Sequence, residues 1–295
     1  MKEILKLFSD AQKEAIQGAK LFSSMEELRL VAGGGICLYG EGKMQMLHLP
    51  VSQKEVGTIL SRACEHSVYA AQPQLTQGYV TIRGGHRIGV AGRAAMDGQR
   101  LSAITDISAL CIRVARDCPM AAEGLLPLIL SEGQIKSTLL IGVPGSGKTT
   151  CLRSLAHLLG GAQYGKKVVV IDARGELASV HLGVPQLSVG AFSCVLDRFP
   201  KKEAIEHAVR ALAPDVIITD ELGSAEDMAA AQNALTSGVS LLASVHGSHM
   251  SCVKENRFLL PLLKSGLLRQ GIFLSKRRGP GTVERIVTDM TKGPA

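Results

Sequence analysis

Gly142-Val-Pro-Gly-Ser-Gly-Lys-Thr-Thr150 is the stretch that decides how this chain folds. Its spacing, G-x-x-x-x-G-K-T, is that of a phosphate-binding loop. The apolar run 138–141 ahead of it suits a buried strand, and residues 149–159, closed by Gly160 and Gly161, read as a helix. In a strand–loop–helix setting the glycines let the backbone curl until successive N–H groups point at one anion, and the helix N-terminus adds positive potential. Lys148 is expected to reach the β- and γ-phosphates, and the Thr149 hydroxyl to ligate Mg²⁺, an ion that takes oxygen ligands. The expected nucleotide-binding residues are Gly142, Val143, Pro144, Gly145, Ser146, Gly147, Lys148, Thr149 and Thr150.

Downstream of the loop, strand-like and helix-like segments alternate, the pattern of a parallel sheet with helices on its faces. Strands are predicted at 167–172, 215–220, 240–246, 271–276 and 283–288, and helices at 202–213, stopped by Pro214, and 224–236, opened by a Ser224/Asp227 capping box. Ligands of such sheets sit at the carboxyl ends of the strands, so the polar residues there matter most. Val216-Ile-Ile-Thr-Asp220-Glu221 is an apolar strand that ends in two carboxylates and resembles a Walker B element. Asp220 is expected to hold Mg²⁺ and Glu221 to deprotonate the attacking water; alternation along the strand points the two side chains differently. His246 ends another strand and is placed to sense the γ-phosphate. Asp172, Arg174 and Glu176 follow a third, either as groups that polarise water or as an internal salt bridge.

Ahead of the loop the pattern changes. Residues 3–22 have helical apolar spacing, and short strands are predicted at 28–31, 36–39 and 44–49. A Ser52/Glu55 capping box opens a helix to about residue 65. Strand-like stretches at 76–83 and 87–94 flank a Gly84-Gly85 turn, and 110–115 is a further strand. The predicted organisation is an α+β domain over 1–118, a linker with a lead-in helix over 119–135, and a P-loop domain over 136–295.

Composition narrows the function classes. With 46% hydrophobic residues in 295, the chain has enough apolar surface for a large core, yet only 3% are aromatic, so Leu, Ile, Val and Ala must build it. No apolar run reaches the ~18 residues of a membrane span, and no signal-peptide pattern opens the chain; the expectation is a cytoplasmic protein. Seven scattered cysteines without C-x-x-C spacing argue against a disulfide framework or a zinc site. The net charge of +7 permits nucleic-acid contact, but the basic run Lys276-Arg277-Arg278 has no aromatic neighbours to stack bases and reads as a solvated strand end.

Several spaced stretches, in order, resemble the stage III sporulation protein AA family, a branch of the secretion ATPases. They include Gly84-Gly-His-Arg-Ile-Gly-Val-Ala-Gly-Arg93, Ile107 to Arg116, Asp172-Ala-Arg-Gly-Glu176, Pro214 to Glu221, Ala243-Ser-Val-His-Gly247 and Leu274 to Glu284. The resemblance implies a RecA-like P-loop NTPase core with a smaller N-terminal α+β domain. It implies ATP hydrolysis with Mg²⁺ in a ring, as a hexamer, with sites between subunits. Asp172 and Glu176 map onto the family's acidic box and His246 onto its histidine box, so that Glu221, Lys148, His246, Asp172 and Glu176 form the expected catalytic set. The P-loop half has no evident arginine finger; Arg87, Arg93, Arg113 and Arg116 of the N-terminal half are the candidates for contacts made in trans. Expected partners are further copies of the chain and the membrane-bound proteins of the same sporulation operon, in the mother cell at the forespore-facing membrane. Two other readings stay open on the residues alone: a nucleic-acid translocase on a similar core, and a nucleotide-gated scaffold with little turnover.

Overall fold

A computed structural model describes residues 1–268 and 270–290. The chain divides into two compact units. The first comprises residues 1–116 and 180–186, the second 117–179 with 187 onward.

The first unit is a six-stranded antiparallel sheet covered on one face by helices. Its strands are β1 (Glu27–Val31), β2 (Ile36–Gly40), β3 (Lys43–Leu47), β4 (Tyr79–Thr81), β5 (Arg87–Asp97) and β6 (Arg100–Arg113), in the order β3-β2-β1-β6-β5-β4. Period-two patterning sends Leu28, Leu30, Ile36, Leu38, Ile88, Leu110 and Ile112 inward. They pack on Ile4, Ile16, Val56, Ile59 and Leu60 from α1 (Lys2–Leu5), α2 (Asp10–Gln17) and α3 (Gln53–Ala63); α4 (Gln72–Leu75) adds Leu75. The helix expected over 3–22 is two helices, because Ser9 leaves helical geometry and caps α2 in a box with Gln12. Gly84 and Gly85 form the β4–β5 turn at positive φ. The separate strand expected at 110–115 is the end of a much longer β6, which folds back on β5 around Gly98 at φ 59°.

Residues 180–186 were expected in the P-loop domain and pack with the first unit instead. His181 sits there between the Thr81 carbonyl (3.1 Å) and the Glu65 carboxylate (3.2 Å), and Gln186 accepts a hydrogen bond from the Gly84 N–H. These contacts join residues about a hundred positions apart, which no local pattern announces.

The second unit is a seven-stranded sheet between layers of helices. Within the stretch 119–135, expected to carry a lead-in helix, α5 is confined to Leu126–Ile129, and two short strands, β7 (Leu130–Ser131) and β8 (Gln134–Ile135), form a hairpin around Glu132 and Gly133, which both take positive φ. The main sheet runs β11 (Cys194–Asp197), β10 (Val168–Asp172), β12 (Val216–Glu221), β13 (Ser240–His246), β9 (Thr138–Gly142), β14 (Gln270–Ser275), β15 (Thr282–Val287), all parallel except the last. Helix α6 (Lys148–Leu159) packs against the four central strands β9, β10, β12 and β13. The opposite face carries α7 (Lys201–His207), α8 (Ala225–Thr236), α9 (Met250–Glu255) and α10 (Leu260–Lys264), whose apolar residues share one core with Leu139, Ile141, Val169, Ile171, Ile217, Leu241 and Ala243. The helix predicted over 202–213 is α7 followed by a π-type turn, ended by Ala213 at φ 43° ahead of Pro214. Among the described residues no helix is long and apolar enough to cross a membrane.

His86 gives the first unit a pH dependence. It is 4% exposed, its Nδ1 accepts from the Ala115 N–H, and burial pushes its pKa down to about 4 from 6.5. The folded chain resists protonation that the unfolded chain accepts, so the contribution of neutral His86 is complete above about pH 6.5 and lost as the pH falls toward about 4. Chemical unfolding followed across that window is expected to show a loss of about 3 kcal/mol from this group, and His86→Gln is expected to flatten that part of the profile.

Candidate nucleotide site at the carboxyl edge of the parallel sheet

The loop predicted to bind phosphate leaves the carboxyl end of β9 and enters α6 at Lys148. Gly145 and Gly147 take φ of 72° and 93°, a region that side chains with a Cβ rarely enter. Gly142 has no room for a side chain either: a Cβ there would lie 2.8 Å from the Leu274 carbonyl and would collide with Ser146 Oγ. Ser146 is fully buried, and its hydroxyl has no hydrogen-bond partner. Lys148 donates to the carbonyls of Gly142 (2.7 Å) and Val143 (3.1 Å). Burial lowers its pKa, and the negative charge of Glu221 opposes that shift.

The parallel register brings the other strand ends alongside. His246 pairs with Gly142 across β13 and β9, and Glu221 of β12 pairs with Ser244 of β13. His246 is exposed at the rim. A β-bulge between Ile218 and Glu221 interrupts the β12–β13 ladder, so the side-chain directions there are set by an irregularity rather than by plain alternation. Asp220 is buried and Glu221 half-exposed. Burial raises the Asp220 pKa, and the Lys201 ammonium, 2.5 Å from Oδ1, opposes the rise. Lys201 also donates to the Glu221 carbonyl.

Asp172 ends β10 with no exposed surface. Its Oδ1 accepts from the N–H groups of Glu176 (2.7 Å) and Leu177 (3.0 Å), and its Oδ2 from Ala178 (2.7 Å) and Ser179 (3.3 Å). The carboxylate is thus committed to shaping the turn at 173–179. Arg153 of α6 completes that turn by donating to the Leu177 and Glu176 carbonyls at 2.6 and 2.7 Å. Within this box Arg174 is the residue whose side chain reaches the carboxylate of Glu221, at 3.7 Å; the Glu176 side chain is exposed.

Mg²⁺ suits the donors found here. Thr149 and Asp220 offer oxygens, and Asp220 Oδ1 is buried with the Lys201 ammonium 2.5 Å away. No group of three or more His, Cys, Asp or Glu side chains among the described residues forms a metal cage. A bound Mg²⁺ would therefore complete its shell with phosphate oxygens and water.

Three residues of the site carry no motif. Lys201 opens a helix and Arg153 lies inside one. Lys276 belongs to the basic run read as a solvated strand end. It is exposed, yet a Cβ at Gly145 would lie 2.7 Å from its ammonium, so the side chain lies against the phosphate loop. The turn after it is fastened to the same loop by the Gly281 N–H, which donates to the Ser146 carbonyl at 2.8 Å. The candidate trans arginines all belong to the first unit, and each has a partner there: Arg87 over the Tyr79 ring, Arg93 with Asp106, Arg113 with Glu27, and Arg116 with the Ser24 carbonyl.

Comparison with known proteins supplies the relatives. A family model, "Sporulation stage III, protein AA", matches residues 1–293. Stage III sporulation protein AA of Bacillus subtilis is 35% identical over 294 residues, covering 97% of this chain and 94% of that protein. Among solved structures, the ATPase DotB of Yersinia pseudotuberculosis (TM-score 0.60, 14% identity) and the pilus retraction motor PilT with bound ADP (TM-score 0.60, 17% identity) each cover 90% of this chain, which spans 75% and 76% of theirs. These likenesses give the fold: the α/β P-loop fold of DotB and PilT, with an N-terminal domain.

The Asp172 turn sets the first test of this site. Asn at this position keeps one acceptor oxygen and turns an NH₂ group toward backbone donors. Asp172→Asn is expected to cost about 2–4 kcal/mol of stability, read as a lower urea midpoint, because buried N–H groups lose their acceptor.

Proposed function

The chain belongs to the stage III sporulation protein AA family, and we propose that it is a Mg²⁺-dependent ATPase working in sporulation as a ring of copies. The reading rests on one observation above all: the loop 142–149 and the ends of β12 and β13 meet at one edge of a parallel sheet, with His246 in register with Gly142 and Glu221 with Ser244. In this reading the loop N–H groups, Lys148 and Lys276 take the phosphates. Thr149 and Asp220 hold Mg²⁺. Glu221 takes the proton of the attacking water, Arg174 steadies its carboxylate, and His246 faces the γ-phosphate. Asp172 and Glu176 act through the turn they build.

The fold shared with DotB and PilT supports coupling of hydrolysis to mechanical work, and the family supports the setting. We assign the work to assembly of, or transport through, a channel complex between mother cell and forespore. The partners are the membrane-bound proteins of the same sporulation operon, through which the chain meets the membrane from the mother-cell cytoplasm. A hexamer is the ring size we propose, with one or more of Arg87, Arg93, Arg113 and Arg116 completing a neighbour's site.

Steady-state ATP hydrolysis across protein concentration tests this. Lys148→Ala is expected to abolish nucleotide binding. Glu221→Gln is expected to keep nucleotide and lose about two to four orders of magnitude in turnover. Specific activity that climbs with concentration supports a site completed by a second copy. Turnover indifferent to both substitutions overturns the assignment, and strong stimulation by DNA moves the chain to the translocases.

A further inference from the structure

We propose that Lys201 is a positioning residue of the nucleotide site, holding Asp220 and the end of β12 in the geometry that takes Mg²⁺. The inference rests on the reading of Asp220 as a metal ligand given above.

Lys201 is the first residue of α7, whose Ala204 and Ile205 lie in the core on the face of the sheet away from α6. Thr149 stands on α6, which packs on the other face of the sheet. The Lys201 ammonium lies 2.5 Å from Asp220 Oδ1 and donates to the carbonyl of Glu221, the next residue. The Lys201 and Asp220 side chains are only 9% and 8% exposed. Neither charge tolerates that burial alone, so the pair is fixed in a way that a surface lysine is not. One ammonium therefore anchors both the carboxylate of Asp220 and the backbone from which Glu221 projects.

The strand needs such an anchor at this point. The β12–β13 ladder is in register through Ile218, shifts, and resumes at Glu221. Thr219 and Asp220 lie in the irregular stretch. Thr219 is tied by its hydroxyl to the Ile171 carbonyl at 3.4 Å, and Lys201 is the cation that ties Asp220. The Arg174–Glu221 pair is no substitute: it spans 3.7 Å with both side chains well exposed, where ion pairs contribute little.

Binding of a fluorescent ATP analogue to the full chain, titrated with Mg²⁺, tests this. In Lys201→Met and in Lys201→Gln the Mg²⁺ concentration for half-maximal binding is expected to rise about tenfold or more, the usual effect of removing a group that orients a metal ligand. Binding in excess EDTA is expected to stay unchanged. Lys201→Arg, which keeps the charge, is expected to return the midpoint to within about threefold of the parent. Either neutral variant, once folded, decides the question. An unchanged Mg²⁺ midpoint with a lowered melting temperature overturns the proposal in favour of a purely structural pair. A lowered midpoint overturns it in favour of an ammonium that competes with the metal. A parent protein that binds no nucleotide at any Mg²⁺ concentration overturns the reading of the site and this inference with it. Mg²⁺-dependent binding that ignores Lys201 overturns this inference alone.

Discussion

A parallel sheet buried on both faces has one place where charged side chains can meet a ligand, the edge at which its strands end. In this chain β10 and β12 are apolar until they end in Asp172 and in Thr219-Asp220-Glu221, β13 ends in His246, and β9 runs straight into the loop 142–149. The register then does the assembling. Once β13 pairs with β9 so that His246 meets Gly142, and with β12 so that Ser244 meets Glu221, the relative heights of loop, carboxylates and histidine are set by backbone hydrogen bonds. Strand pairing sets these heights except at Thr219 and Asp220, where the ladder shifts and the Lys201 ammonium holds the carboxylate.

Bringing charge to that edge has a cost, and the chain meets it in three ways. Asp172 is solvated by backbone, with four N–H groups standing in for water. Arg153 is solvated by carbonyls of the same turn; burial lowers its pKa, and the nearby Asp117 and Asp172 carboxylates oppose the shift. Asp220 is matched by a buried ammonium. A buried charge that loses such a partner is far more costly than the pair is stabilising, so each arrangement locks geometry more firmly than it adds stability. The last residue in the Asp172 turn is Ser179, and the next, Val180, already belongs to the first unit. That next segment is held within the first unit through His181 and Gln186.

What the sequence disclosed follows the range of each interaction. The phosphate loop and the two carboxylates after Val216-Ile-Ile-Thr are local patterns whose chemistry needs those residues at that spacing, and they could be read without a fold. The capping boxes at Ser52 and Ser224 were legible for the same reason. Lys201 was not, because it is one lysine of two at the start of a helix and acquires meaning from a carboxylate on a different element. Strand β11 was missed because it is a four-residue edge strand with an exposed start and little apolar signal. The acidic box shows the limit from the other side. Its residues were singled out from sequence, but their division of labour, with Asp172 turned to backbone and Arg174 toward Glu221, depends on where the turn after β10 carries each side chain.

The glycines of the phosphate loop illustrate why a motif understates the structure that carries it. Gly145 and Gly147 are ordinarily explained by the curvature that aims N–H groups at phosphate. Here each also admits another part of the chain. A Cβ at Gly145 would strike the Lys276 ammonium, and one at Gly147 would come within 2.6 Å of the Gly281 amide nitrogen, at the turn whose N–H holds the Ser146 carbonyl. The loop is therefore held between the strand it leaves and the β14–β15 turn, and the absence of a side chain at Gly147 lets the backbone of that turn approach. A side chain at either glycine strains the loop's backbone, and at Gly147 it also meets the backbone of the β14–β15 turn. Lys276 can be changed without altering the loop's backbone, and so isolates what the clamp contributes from what the curvature does.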